Sequence, residues 1–270
     1  MRAWVSQSVS EAEAFGATRH VLCFFAVASV MVASGCSAIK PTDSFTLLTE
    51  LPPGFSIKGE ASYVPRTGEM CSVPAKKGRN YPGLKFFEQK LSDSAQTAQF
   101  EVPLSSMEGG CSLVLASFGY EVDAKYGAAR LNIGRDYTGI SFQDGSTNPS
   151  STTYPTIFEK ECQWFFRTVG PKNNIAKILQ CKTITAPQEG VNRDQLSGKT
   201  VKVKFSLSKE ESPYMGDTWI KFPEGWKRCM GKSLEDPYAF CNGNTTSFKP
   251  FKMPDGRDCT VYPNCIEQGE

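Results

Sequence analysis

Carboxylates, thiols and imidazoles do most enzymatic work, and this chain is well supplied with the first two and almost devoid of the third. Its 270 residues hold 28 Asp and Glu, 10 Cys and a single histidine, His20. A body without imidazole cannot run a Ser-His-Asp or Cys-His hydrolase, and it lacks the commonest catalytic zinc ligand. Paired acids could still serve a glycosidase, which needs two carboxyls about 5 to 10 Å apart across a sugar. Glu210 and Glu211 are adjacent, however, and side chains one residue apart on an extended chain point to opposite sides. They read as a solvated strand end. Asp123, Asp136, Asp144, Asp217 and Asp236 are scattered without the spacing of a calcium loop. No GxSxG, HExxH, phosphate-loop or dinucleotide-binding pattern occurs beyond the N-terminal stretch. The expectation is a protein that is not an enzyme and that uses no cofactor and no metal.

The cysteines carry the remaining chemistry. Arg19 and His20 precede an apolar run, Val21 to Val32, which closes on Val32-Ala33-Ser34-Gly35-Cys36-Ser37. Charge, apolar core and small residues therefore come in secretory order. This stretch resembles a bacterial lipoprotein signal. The resemblance implies cleavage before Cys36, whose thiol and new amino group receive acyl chains such as palmitate. Ser37 stands where an aspartate would mark inner-membrane retention, so the implied address is the outer membrane, lipid-anchored and facing the periplasm. The 15 residues between His20 and Cys36 fall short of the roughly 20 that a spanning helix needs.

Setting aside Cys23 in the leader and Cys36 leaves Cys71, Cys111, Cys162, Cys181, Cys229, Cys241, Cys259 and Cys265. In an oxidising space an even set is a disulfide framework, and no pair has the CxxC spacing of a zinc knuckle or redox dithiol. Eight cysteines allow on the order of a hundred connectivities. Pairing of neighbours (71 with 111, 162 with 181, 229 with 241, 259 with 265) is favoured because each pair brackets a hairpin or loop.

The elements that must position these residues read as strands. Val201 to Ser208 alternates apolar and polar residues throughout, and Val114, Ala116, Phe118, Tyr120 and Val122 repeat that period downstream of a Gly109-Gly110 turn. Further strands are expected at 45–48, 55–64, 84–87, 100–104, 130–133, 138–142, 162–169, 175–184 and 218–222. Such spacing points to an all-β, antiparallel sandwich rather than a βαβ fold. Residues 1–35 are expected to be the signal peptide, 36–208 the sandwich body and 209–270 a cysteine-rich, loop-rich segment pinned by sulfur. The Gly/Ser/Thr/Pro-rich stretch 143–155 either divides the body into two lobes or is one long loop.

Charge argues against nucleic acid. Removing the leader takes away Arg2, Arg19, Glu11 and Glu13, so the net charge stays at +2, with no concentrated basic face. Lys76-Lys77-Gly78-Arg79 is the one dense basic cluster and reads as a solvated turn. Among the aromatics, Trp164 beside Cys162 reads as a core ring packed on a disulfide. Trp219 and Trp226 lie in a Pro/Gly-containing segment, where they are candidates to anchor a protein partner.

With Tyr63-Val64-Pro65-Arg66-Thr67-Gly68-Glu69-Met70-Cys71, Phe100-Glu101-Val102-Pro103-Leu104, Gly109-Gly110-Cys111, Cys162-Gln163-Trp164, Val201 to Ser208, Glu211-Ser212-Pro213-Tyr214 and Gly225-Trp226-Lys227-Arg228-Cys229 in this order, the chain resembles small periplasmic lipoproteins of proteobacteria. Some of these are similar to immunity proteins against type VI secretion effectors such as phospholipases. The resemblance implies a non-enzymatic inhibitor with a protein partner. Two alternatives share the same address: a structural or assembly lipoprotein of the envelope, and a carbohydrate- or peptidoglycan-binding protein.

Overall fold

A computed structural model describes residues 43–66, 68, 71, 83–127, 132–144, 155–187, 191–231, 240–243 and 245–265. The leader with Cys36, the basic cluster 76–79, residues 145–154 of the Gly/Ser-rich stretch, part of the expected strand 130–133 and Asp236 lie outside the described residues.

The described chain is nearly all β, as its period-two patterning requires. The first strands are β1 (Ser44–Leu51), β2 (Phe55–Pro65), β3 (Leu84–Gln89), β4 (Gln96–Pro103), the short β5 (Ser105–Glu108), β6 (Cys111–Lys125), β7 (Ile133–Gln143), β8 (Thr156–Val169) and β9 (Asn174–Thr185). After them come β10 (Val191–Asn192), β11 (Thr200–Leu207), β12 (Ser212–Pro213), β13 (Trp219–Phe222), β14 (Gly225–Arg228), β15 (Phe251–Lys252) and β16 (Asp258–Cys259). The first sheet runs β16-β15-β9-β8-β11-β1-β4, with β12 also on β8. The second runs β10-β7-β6-β2-β3, with β5 also on β6, and β13-β14 form a hairpin of their own. Strands from both sides of residues 143–155 share the first sheet.

The two sheets pack face to face. Phe45 meets Phe142, Phe87 meets Phe100 and Tyr120 meets Phe205, each with ring centroids 5.2 to 5.7 Å apart. Alternation decides which side chains enter that interface. In β1 the residues Phe45, Leu47, Thr49 and Leu51 are buried while their neighbours are half-exposed, and β11 buries Val201, Val203 and Phe205 in the same way. A polar group turned inward by the same rule needs a partner; Thr49 finds the Tyr120 hydroxyl at 3.1 Å.

The second sheet is antiparallel along its long strands, as expected, whereas the first is mixed. β1 pairs parallel with β11, and β11 parallel with β8. Parallel neighbours need long crossovers, so no turn signal between them betrays the pairing. Short strands β10, β12 and β15 also pair parallel, with β7, β8 and β9.

Cys71–Cys111, Cys162–Cys181, Cys229–Cys241 and Cys259–Cys265 are disulfides, the neighbour pairing favoured from the sequence. Cys162 and Cys181 are directly opposed partners in the β8/β9 register. The last two bonds hold the segment after Lys209, whose Trp219, Phe251, Cys259 and Tyr262 join Phe166 of β8 and Ile175 of β9 in a second, smaller core.

Candidate partner-binding end

The face of β8 that enters the main core continues into the smaller one. The inward residues of β8 are Phe158, Lys160, Cys162, Trp164 and Phe166, all on one parity. That parity forces Lys160 into the interior, where it is fully buried. Its ammonium donates to Thr138 Oγ1 at 2.7 Å, Thr183 Oγ1 at 2.9 Å and the Gly139 carbonyl at 3.2 Å. Three N–H donors meet three neutral acceptors, so the group is satisfied without a counter-charge. Burial pushes its pKa down from the ordinary lysine value. Enclosed in this way, Lys160 ties the two sheets together and offers no approach to a substrate.

Phe166, further along the same face of β8, organises the second core. Its ring lies 5.0 Å from Trp219, 4.1 Å from Tyr262 and 6.1 Å from Trp226. Trp219 is buried and also packs edge-on against Phe251 at 5.1 Å. A ring used on both sides for packing has little face left for a partner, so of the two candidate anchors only the half-buried Trp226 remains near the surface, with Lys221 Nζ 5.6 Å above its ring. Trp226 is fixed by reciprocal backbone hydrogen bonds with Tyr262, of 2.7 and 2.9 Å. Gly225 makes that approach possible: a Cβ there would lie 2.3 Å from the Tyr262 carbonyl oxygen, and its φ is +139°. Trp164 is a buried core ring, edge-on to Tyr126 at 5.3 Å, consistent with its packing role.

The two acids at the end of β11 lie in different environments. Glu210 is exposed, whereas Glu211 is half-buried, accepts from Lys177 Nζ at 2.6 Å and accepts the Tyr262 hydroxyl proton in a short hydrogen bond. Lys177 Nζ also stands 5.9 and 5.8 Å from the Tyr126 and Tyr262 ring centroids. Burial, and then the neighbouring Glu211 carboxylate, raise the Tyr262 hydroxyl far above its usual range. The trio therefore bolts the C-terminal segment to β9 with charge-assisted bonds.

Around this end several apolar side chains face solvent. Val169, Tyr214, Met230 and Phe240 are 37 to 43 % exposed. Tyr214 is placed by its N–H to the Phe166 carbonyl and lies under Arg167, 5.7 Å from the ring. Met230 and Phe240 adjoin the two ends of the Cys229–Cys241 bond, and the Cys241 N–H donates to the Asp217 carbonyl in the turn before β13. A cavity of about 230 Å³ opens at the end of β8, with Arg167, Val169, Met215, Trp219 and Arg228 in its wall.

Sequence reasoning misses Lys160, Lys177, Arg167, Arg228 and Tyr262. Counting back by twos from Cys162 and Trp164 places Lys160 inside; for the others the contacts join segments 34 to 60 residues apart, which no local pattern encodes. Among the described residues no group of His, Cys, Asp and Glu could hold a metal ion, and no helix is long and apolar enough to cross a membrane. No family model, curated protein or solved structure matches the chain.

Proposed function

We propose that this protein is an envelope lipoprotein, acylated at Cys36, that works by gripping another protein: an immunity protein that neutralises a secreted, lipase-like effector. The observation that carries this reading is the sulfur-pinned end, where Val169, Tyr214, Met230 and Phe240 are exposed and Arg167 lies over the Tyr214 ring. Aromatic, Met and Arg side chains are the types enriched at interface centres, and a scaffold already locked by disulfides loses little entropy on binding. Four disulfides fit an exported body, and tethering by lipid would raise the inhibitor's concentration at the membrane where a lipase acts. An envelope assembly role would use the same face for a resident partner. The sugar-binding alternative is weakened by Trp219, whose ring is committed to the core.

The test is survival beside toxin-secreting siblings. Deleting the gene is expected to make cells susceptible, and complementation with the wild-type gene to restore survival. Complementation by Tyr214→Asp/Met230→Asp, shown to be folded by its circular dichroism, is expected to fail. Unaffected survival of the deletion strain would refute the immunity reading, and full protection by the double variant would refute the assignment of the face.

A further inference from the structure

We propose that the cavity at the end of β8 receives one aromatic side chain of a protein partner, whose neighbouring carboxylate settles on Arg167 outside it. This rests on the protein-binding reading and adds to it the chemistry of the partner's anchor. Val169, Met215 and Trp219 give the cavity its apolar wall. Arg228, in the same wall, is buried and donates from Nε to Thr168 Oγ1 at 2.7 Å, so it belongs to the frame. Arg167 is the exposed cation: it lies over the Tyr214 ring and forms no ion pair among the described residues.

Size selects the occupant. An apolar cavity of about 150 Å³ holds a benzene ring, and clefts for drug-sized molecules begin at about 300 Å³. The volume here, about 230 Å³, lies between, enough for a phenyl or indole group on its methylene. The wall suits a ring as well, since a thioether such as that of Met215 packs favourably on an aromatic edge. Exposed Val169 in the wall and exposed Tyr214 beside Arg167 offer apolar surface to the chain that carries the anchor. A free small molecule would forgo that second contact, which commits the cavity to a protein. The unpaired cation then selects the sign of the anchor's neighbour, favouring Asp or Glu and repelling Lys or Arg.

The experiment follows the Met215 methyl resonance of the purified, oxidised full chain, labelled at its methionine methyl groups, during titration with capped tetrapeptides. Gly-Phe-Glu-Gly is expected to shift that resonance saturably. Gly-Ala-Glu-Gly should bind about tenfold or more weakly, having lost the buried ring, and Gly-Phe-Lys-Gly about two- to fivefold more weakly, the effect of one exposed charge. In Arg167→Gln the Glu and Lys peptides should bind alike. Val169→Trp, which fills the cavity, should weaken the Phe-Glu peptide about tenfold or more. Both substitutions are at exposed positions and should leave the unfolding midpoint unchanged; if Val169→Trp fails to fold, the peptide series and Arg167→Gln still decide. No saturable shift, an Ala peptide as tight as the Phe peptide, a Lys peptide as tight as the Glu peptide in wild type, or undiminished binding by folded Val169→Trp would each overturn the proposal. So would tighter binding of 3-phenylpropionate, which carries the same ring and acid without a peptide chain. These titrations need no effector: silence of every peptide beside wild-type protection from sibling killing would discard the anchor and keep the immunity reading. Peptide binding by a protein whose deletion leaves survival unaffected would do the reverse.

Discussion

Gly134→Ala should destabilise the protein through one ring on the opposite sheet. Gly134 lies on β7 facing β8, and a methyl group there would meet Trp164 Cζ3 at 2.3 Å, Trp164 Cη2 at 2.8 Å and Leu179 Cβ at 3.1 Å. Carbon atoms pack best at about 3.5 to 4.0 Å, so the indole would have to retreat by roughly an ångström or more. It has nowhere to go: Trp164 is 5 % exposed, sits in the main core and is braced edge-on by Tyr126. Overpacking of this kind costs about 1 to 3 kcal/mol, and the entropy removed from the unfolded chain returns about 0.4 to 1 kcal/mol. The net loss is about 1 to 2 kcal/mol, or about 3 to 6 °C in Tm for a chain of this size. Urea unfolding followed by far-ultraviolet circular dichroism measures it. The mechanism is isolated by repeating the substitution in a Trp164→Phe background, where the smaller ring should open the space the methyl group needs. There Gly134→Ala should cost at least about 1 kcal/mol less. An undiminished cost in that background, or no cost in wild type, would refute the reasoning.

Two further outcomes follow from buried polar groups. The folded pKa of Lys160 lies below its unfolded value of about 10.4, so between the two the unfolded chain holds more protons and stability rises with pH. Urea midpoints measured from about pH 7.5 to 10 should show that rise in wild type and lose it in Lys160→Met; an identical slope in both would contradict the assignment. Above about pH 10 the trend reverses, because Tyr63, pushed up to about 12 by burial, and the likewise raised Tyr120 and Tyr262 stay protonated only in the fold. Glu211→Ala should cost about 2 kcal/mol by stranding Lys177 and the Tyr262 hydroxyl together, while Glu211→Gln, which keeps an acceptor, should recover part of it. Wild-type stability in the Ala variant, read from the same urea curves, would show that the trio holds nothing.

Strand existence is legible in the sequence because burial on one face imposes a period of two, visible in Val201 to Ser208 and in Val114 to Val122. Strand length reads short: β8 begins at Thr156, six residues before the expected start at Cys162, because Lys160 interrupts the apolar parity that marks the element. The short strands β5 and β14 to β16 escape notice, since two to four residues are too few to show a period. The disulfides are readable because each joins near neighbours in sequence. Partnership between distant strands is not, and neither is the site: Arg167 and Arg228 converge through the β13/β14 hairpin and Thr168, across 60 residues.

The parallel seam β1–β11–β8 sets the order in which this molecule can be assembled. β1 lies between β4 and β11 in the first sheet, yet β11 lies about 150 residues downstream of it, with Thr46 partnered to Thr200. A chain emerging N-terminus first can complete the hairpin-linked strands of the second sheet while one side of β1 still has its backbone donors and acceptors uncovered. Such an edge invites pairing with a neighbouring molecule, and closing so distant a contact slows folding. The growing chain therefore passes through a long vulnerable interval before β11 arrives to seal the seam, and any fragment ending before Thr200 is left with that edge open and prone to aggregate.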